Sequence, residues 1–468
     1  MPSVVCLDEV WELTGFDLDG EERIHIPGKV PGHVHVDLER EGLIPPMFWR
    51  DNADACQWVE NWTWRYCTTL YIDDDDNLSW AELVFMGLDT FAEIRLNGTV
   101  IGHTANMFIP HCFEVSNQLR PGENALEVVF TPYHQHIMGK RLDYPAAFDT
   151  HDRVHVRRMQ CTFHWDWVNR FVSAGIWRPV RLYMFNGAKL DDLYITTTLI
   201  EEDYAEIAIS IVTTRRTSGK LIVHLTILGP DDDLAWEWDE PLTNDKTLIN
   251  MNITEPELWW PNGYGSQSLY RCIATLLVDG QEVDGKAVDF GIRTVAVEQL
   301  VDQPGSPEEA RTLALRKRYP EQDRNGEAPG SSFTLVVNGQ RIFARGGNWV
   351  PADPLPGRMA GTHYRRLVWL AKEANLNLLR CWGGGIYESE VFWKMCDACG
   401  VMVTQDFAMA CAWYPEDDPD FIEVMRAEIP AAIRMLRNHP SLVWWSGDNE
   451  NGMNHDADDP HFPAVPSS

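Results

Sequence analysis

Apolar and polar side chains alternate in short runs through the first part of the chain. Ala92, Ile94 and Leu96 alternate with Glu93 and Arg95, and Asn97-Gly98 follows as a hairpin signal. After the turn residues Pro121-Gly122, Leu126, Val128 and Phe130 alternate again. A period of two sends successive side chains to opposite faces, so each set lines one side of a strand. Regular short strands separated by Gly and Pro predict an all-β sandwich over residues 1–188. Residues 189–298 repeat the theme on a smaller scale. There Ile207, Ile209 and Ile211 form one set, and Leu221, Val223, Leu225 and Ile227 another. That length and strand pattern suit an immunoglobulin-like sandwich, although no Cys–Trp–Cys core marks it. A polar segment from Asp302 to Ser332 predicts a flexible loop at the next boundary.

Beyond residue 333 the period changes. Phe333 to Arg345 reads as a strand. Thr362 reads as the cap of an amphipathic helix carrying Tyr364, Leu367, Val368, Ala371 and Ala374. An apolar strand follows from Leu376 to Cys381, a helix from Ser389 to Cys399, and a third strand from Val401 to Asp406. Asp418-Pro419 opens a third helix running towards Arg437, which Pro430 is expected to kink or split. Leu442 to Ser446 is a fourth strand. Strands alternating with helices of these lengths imply parallel βα units. A (β/α)8 barrel is the natural candidate, and four of its strands are present over residues 299–468.

Composition narrows the function classes. The 468 residues carry 70 acidic against 39 basic side chains, a formal net charge of -31. Nucleic-acid binding draws on Lys and Arg, so a nucleic-acid partner is not expected, nor is an anionic membrane surface. No run of about 18 apolar residues offers a membrane span. Met1 to Gly20 has neither the basic start nor the apolar core of a secretory signal, so a cytoplasmic setting is expected. In that setting the sequons at Asn61, Asn77, Asn97 and Asn252 carry no meaning. The acidic run Asp73–Asp76 lacks the alternating spacing of a calcium loop and reads as a solvated turn. Cys396 and Cys399 fall with Phe392 and Met395 on one helical face, so core packing is favoured over a metal or redox role. His439 precedes a strand and is likewise read as packing. No cofactor is implied. The 20 Trp residues fit either sugar-binding surfaces or large β cores.

In a barrel the reactive groups sit at the carboxyl ends of the strands. Those ends carry Gly346-Gly347-Asn348-Trp349, Arg380-Cys381-Trp382-Gly383-Gly384-Gly385, Gln405-Asp406-Phe407 and Gly447-Asp448-Asn449-Glu450. Amides, carboxylates and indoles on one rim make an inventory for binding polyols. Partial burial behind an apolar strand would raise the pKa of Glu450 towards that of a general acid, though a glutamate in a surface loop reads the same way. Asn449 can offer an amide to a sugar hydroxyl or serve only a turn. Trp382 can be a sugar platform, its glycines letting a ligand approach the backbone, or an indole filling the barrel mouth. Arg380 can steady a carboxylate of a ligand or pair with a structural acid such as Asp406.

Longer motifs resolve these alternatives by resemblance. Arg380 to Glu388 (RCWGGGIYE), Gln405-Asp406-Phe407, Ala410 to Pro415 (ACAWYP), His439-Pro440-Ser441 and Gly447 to Glu450 resemble the barrel of β-mannosidases of glycoside hydrolase family two. The resemblance extends through Arg341 to Asp353, Phe290 to Thr294 and Glu257 to Gly265. It reaches back to Gly87 to Thr90, Asn106-Met107-Phe108 and Gly175 to Pro179. It implies a jelly-roll, sugar-binding-like sandwich, an immunoglobulin-like sandwich and the first half of a (β/α)8 barrel. It implies exo-acting, retaining hydrolysis of terminal β-D-mannose residues, with Glu450 as acid/base and Asn449 near the sugar 2-hydroxyl. Trp165 and Asp166 match residues lining the mannose pocket, and Asn348, Arg380 and Trp382 complete the expected binding set. His164, Val168 and Asn169 depart from the small, turn-forming residues usual in that loop, which puts the pocket's shape in question. The family's nucleophile, a glutamate ending the seventh strand, lies past the last residue of this sequence. The chain alone is therefore expected to hydrolyse little or nothing, and a homodimer or a complementing C-terminal half is an open partner. The alternatives are another family-two glycosidase, such as a β-galactosidase, β-glucuronidase or exo-glucosaminidase, or a non-catalytic carbohydrate-binding remnant.

Overall fold

The computed structural model describes residues 1–74, 76–320 and 329–454. Asp75 of the acidic run, 321–328 of the expected loop and 455–468 of the polar C-terminal segment lie outside these. The chain forms two β-sandwiches followed by a partial barrel. In the first sandwich a four-stranded sheet (Ser3–Cys6, Val180–Met184, Ala81–Phe85, His111–Glu114) faces a six-stranded sheet that includes Val10–Phe16, Thr63–Ile72, Gly122–Phe130 and Phe91–Leu96. Ile94, Leu96, Leu126, Val128 and Phe130 are buried, and Ala92 packs among them, as the period of two requires. Asn97 (φ 52°) and Gly98 (φ 80°) turn Phe91–Leu96 into Thr99–Ala105. Two successive positive φ values form the tight turn that matches strand twist.

The second sandwich packs a three-stranded sheet (Ala188–Ile200, Tyr204–Arg215, Lys246–Thr254) on a four-stranded one (Leu234–Pro241, Leu221–Leu228, Tyr270–Val278, Gln281–Phe290). Its core holds all seven of the apolar residues picked out by alternation, from Ile207 to Ile227.

The barrel region is a parallel sheet in the order Gly346–Trp349, Leu378–Cys381, Met402–Asp406, Leu442–Ser446. Helices Gly361–Glu373, Glu390–Cys399 and Pro419–Leu436 connect these strands. Cys396 and Cys399 are buried in the middle helix and belong to the core. Gly400 (φ 68°) ends that helix in the left-handed conformation that favours glycine.

Four expectations need correction. Phe333 to Arg345 is not the first barrel strand. Thr334–Val337 and Gln340–Arg341 form a hairpin beside Val295–Glu298, turning at Asn338 (φ 50°) and Gly339 (φ 75°). Asn-Gly is itself a hairpin signal, and the barrel strand begins only at Gly346. The polar segment after Asp302 contains the helix Pro307–Arg318. Ser306 Oγ accepts from Glu309 N, acidic residues fill its first turn and Arg316, Lys317 and Arg318 its last. It buries no residue, so an argument from an apolar face cannot find it. Thr362 lies inside the first barrel helix rather than capping it. Pro430 does not split the third barrel helix. Proline removes one backbone bond, but Phe421, Met425, Glu428, Ala432 and Leu436 are buried on both sides of it and hold the helix in place.

Candidate active site

The rim formed by the barrel strand ends meets the first sandwich across a cleft of about 490 Å³. That volume suits a small-molecule ligand. Trp165, Asp166, Asn348, Arg380, Trp382, Asn449 and Glu450 all line it. Two domains thus supply one cavity.

Arg380, at the end of the second barrel strand, organises the polar floor. Its Nη2 donates to Asp406 Oδ2 (2.6 Å) and Asn449 Oδ1 (2.8 Å), and its Nη1 to Asn348 Oδ1 (3.1 Å). Of the two readings left open, pairing with Asp406 is the one adopted. Burial raises the pKa of Asp406, and the Arg380 guanidinium and the Gly383 amide act against that rise. Because both asparagine carbonyls accept from one guanidinium, each amide turns its NH2 away from Arg380. Asn449 Nδ2 then donates to Cys411 Sγ at 3.2 Å, whereas Asn348 lies at the exposed edge of the sheet.

Of the two positions open to Glu450, the surface loop is the one adopted. It is exposed, beyond the strand, at φ 59°. The partial burial inferred from its apolar strand ends at Asn449, whose N donates to Met409 O at 2.9 Å and whose residue is only 4% exposed. The chain then turns outward, and the carboxylate faces the cleft. The Cys411 thiol donates to its Oε2 at 3.2 Å.

The aromatic wall comes from both domains. Trp165 meets Trp382 edge-on at 4.8 Å between centroids, and Trp167 lies 6.1 Å from Trp382. Trp165 N donates to Val168 O (3.0 Å) and Val168 N to Trp165 O (3.4 Å), so Asp166 and Trp167 form the tip of a tight turn. Asp166 is exposed there. His164, just before the turn, has φ 111°, a conformation that favours glycine. The three glycines after Trp382 are explained by packing rather than by ligand approach. A Cβ on Gly384 would sit 2.0 Å from the Trp382 indole, one on Gly383 2.4 Å from Met409 O, and one on Gly385 2.7 Å from Pro351.

Family comparisons fit this construction. The description "Glycosyl hydrolase 2 galactose-binding domain-like" matches residues 11–178, "Glycosyl hydrolases family 2" matches 188–293, and "Glycosyl hydrolases family 2, TIM barrel domain" matches 331–460. The chain belongs to glycosyl hydrolases family 2. It is 32% identical to β-mannosidase of Rattus norvegicus over 92% of this chain and 48% of that protein. It is 33% identical to β-mannosidase B of Thermothelomyces thermophilus, covering 96% of this chain and 50% of that one. The crystal structure of β-D-mannosidase from Dictyoglomus thermophilum superposes with a TM-score of 0.85 at 35% identity, over 96% of this chain and 52% of that one. The chain spans about half the length of the curated relatives it matches.

In this family 2 chain the cleft rests on residues that sequence reasoning missed. Arg153, Arg157 and Arg158, all buried, come from one segment of the first sandwich. Arg153 donates to Ala410 O (2.8 Å), Cys411 O (3.1 Å) and Gln160 Oε1 (2.9 Å), and lies over the Trp165 ring. Arg157 makes a two-pronged pair with Glu428 (2.9 and 2.7 Å), and Arg158 another with Asp89 (3.0 and 2.7 Å). Glu388 is buried beneath the rim, accepting from Trp349 Nε1 and Tyr364 Oη, each at 2.8 Å. Burial raises its pKa. Runs of arginine signal a charged surface by default, so only partners distant in sequence reveal these as interior.

Proposed function

We propose that the cleft binds the terminal, non-reducing β-D-mannose residue of a mannoside, as part of an exo-acting retaining β-mannosidase with Glu450 as acid/base. The observation that carries this reading is the meeting of Asp166, Trp165 and Trp382 with Asn449 and Glu450 in one cavity. Its other support is the set of relatives named β-mannosidase.

In this reading the indoles pack on the apolar face of the sugar ring. Asp166 accepts hydrogen bonds from ring hydroxyls, which an ionised carboxylate makes strongly. Asn449, held by Arg380, faces the hydroxyl beside the anomeric carbon. Glu450, exposed to the cleft, gives a proton to the departing oxygen and later takes one from water. A retaining mechanism needs a second carboxylate about 5–5.5 Å from the first. Asp166 and Glu450 are the carboxylates lining the described cleft, and with Asp166 assigned to hydroxyls no nucleophile is assigned.

Aryl glycoside assays on the purified chain test this. The expected result is little or no release from an aryl β-mannoside, with the same outcome for the galactoside, glucuronide and glucosaminide. Sustained turnover of the mannoside by the chain alone would contradict the assignment of roles, and turnover of another glycoside would contradict the choice of sugar.

A further inference from the structure

We propose that Cys411 is a positioning residue for Glu450, its S–H group fixing where the carboxylate stands in the cleft. The proposal rests on the reading of Glu450 as acid/base, but its geometry is independent of which sugar binds.

The thiol sits between two cleft residues. It donates to Glu450 Oε2 and accepts from Asn449 Nδ2, both at 3.2 Å. These are ordinary sulfur contact lengths, and one atom therefore links the carboxylate to the amide. Its direction is set by an unusual backbone. Cys411 has φ 45°, in the left-handed region that a side chain other than glycine, asparagine or aspartate seldom occupies. Glu450, its partner, has φ 59°. Strain of this kind persists only where surrounding contacts over-determine it.

Those contacts are present and come from both domains. Cys411 N donates to Asn449 O at 2.8 Å. Cys411 O accepts from Ala147 N at 2.9 Å and from Arg153 Nη2 at 3.1 Å. On either side, Ala146 bridges Ala412, and Trp413 N donates to Pro145 O at 2.9 Å. The first sandwich thus grips the backbone that aims the thiol.

The chemistry suits an acid/base residue. Burial, followed by the hydrogen bond and charge of Glu450, pushes the thiol pKa up to about 12. The sulfur therefore keeps its proton through neutral pH and remains a donor. A thiol is a weak donor, so it can orient a carboxylate without clamping it in one protonation state. A hydroxyl would hold the charged form more firmly, and a methyl would not hold it at all.

Infrared spectroscopy of the S–H stretch tests the proposal in the intact chain. The band lost in Cys411→Ala identifies the thiol. It is expected at lower frequency than that of a thiol without an acceptor, and Glu450→Gln should shift it upward as the charged acceptor disappears. If Cys411→Ala does not fold, the difference spectrum between wild type and Glu450→Gln still carries the signal. Cys411→Ser should restore a hydrogen bond to the carboxylate, seen as a shifted carboxylate stretch relative to Cys411→Ala. An S–H region unchanged by Glu450→Gln would overturn the proposal, since a merely packed thiol is indifferent to that charge. Failure of the mannoside reading would instead show as absent sugar binding with the S–H difference intact.

Discussion

Asn449 and Glu450 are adjacent in sequence and opposite in environment, one buried and one exposed. An apolar strand announces burial, but the residue at which burial stops depends on a backbone turn fixed by Met409 and Cys411. For that reason the identity of the rim residues was legible, while burial and exposure of Glu450 stayed as two open readings. Arg380 was half legible: its pairing with Asp406 was one of two readings, and its hold on Asn348 and Asn449 was not foreseen. His439 was read as a packing residue and packs on Trp393 at 5.4 Å between rings. Its charge was not foreseen. Burial alone would lower its pKa, but Asp397, 2.6 Å away, and Glu390 override this and raise it to about 9. A histidine whose folded pKa lies above its unfolded value of about 6.5 stabilises the fold fully below that pH. The contribution disappears as pH rises from about 6.5 to 9. Melting temperature is thus expected to fall across that window and to fall less in His439→Gln. Parallel curves for the two proteins would exclude this origin.

Elements were legible where a capping residue or a strict period marked them. The fourth barrel strand was read with the bounds it has, Leu442–Ser446, and the third helix from Asp418-Pro419. The hairpin at Asn338-Gly339 and the helix at Pro307–Arg318 were missed for opposite reasons. One hides inside a longer apolar run, and the other has no apolar face. At this scale the cap of the third barrel helix is the element to test. Asp418 Oδ1 accepts from Asp420 N at 3.0 Å, and its other oxygen meets Lys140 Nζ of the first sandwich at 2.5 Å. Asp418→Ala should cost about 1 kcal/mol from the lost cap, read as a lower midpoint in urea. Asp418→Asn should recover most of it, because the amide oxygen still accepts from the helix amide. Equal losses in both variants would shift the weight from the cap to the ion pair.

For the whole molecule, the decisive feature is that the cleft belongs to no single domain. Alternation marked two sandwiches and a change of period marked the barrel, but nothing in either pattern shows how they meet. That is decided by single pairs across hundreds of residues. Arg157 and Glu428 are both buried, and Glu428 also accepts from Asn106 Nδ2 and Tyr387 Oη. Removing one partner of such a pair leaves an uncompensated charge and costs about 3–5 kcal/mol. Glu428→Ala is therefore expected to lower stability by that order in urea denaturation, whereas a loss below about 1 kcal/mol would mean that the domains are held by other contacts. Whether sandwich and barrel together form a mannose-binding cleft is tested by calorimetric titration of the chain with a β-mannoside and the matching β-galactoside. Saturable binding of the mannoside alone is expected, lost in Asp166→Ala although that variant remains folded. Equal binding of the two sugars, no binding of either, or an Asp166→Ala variant that binds as wild type would contradict it.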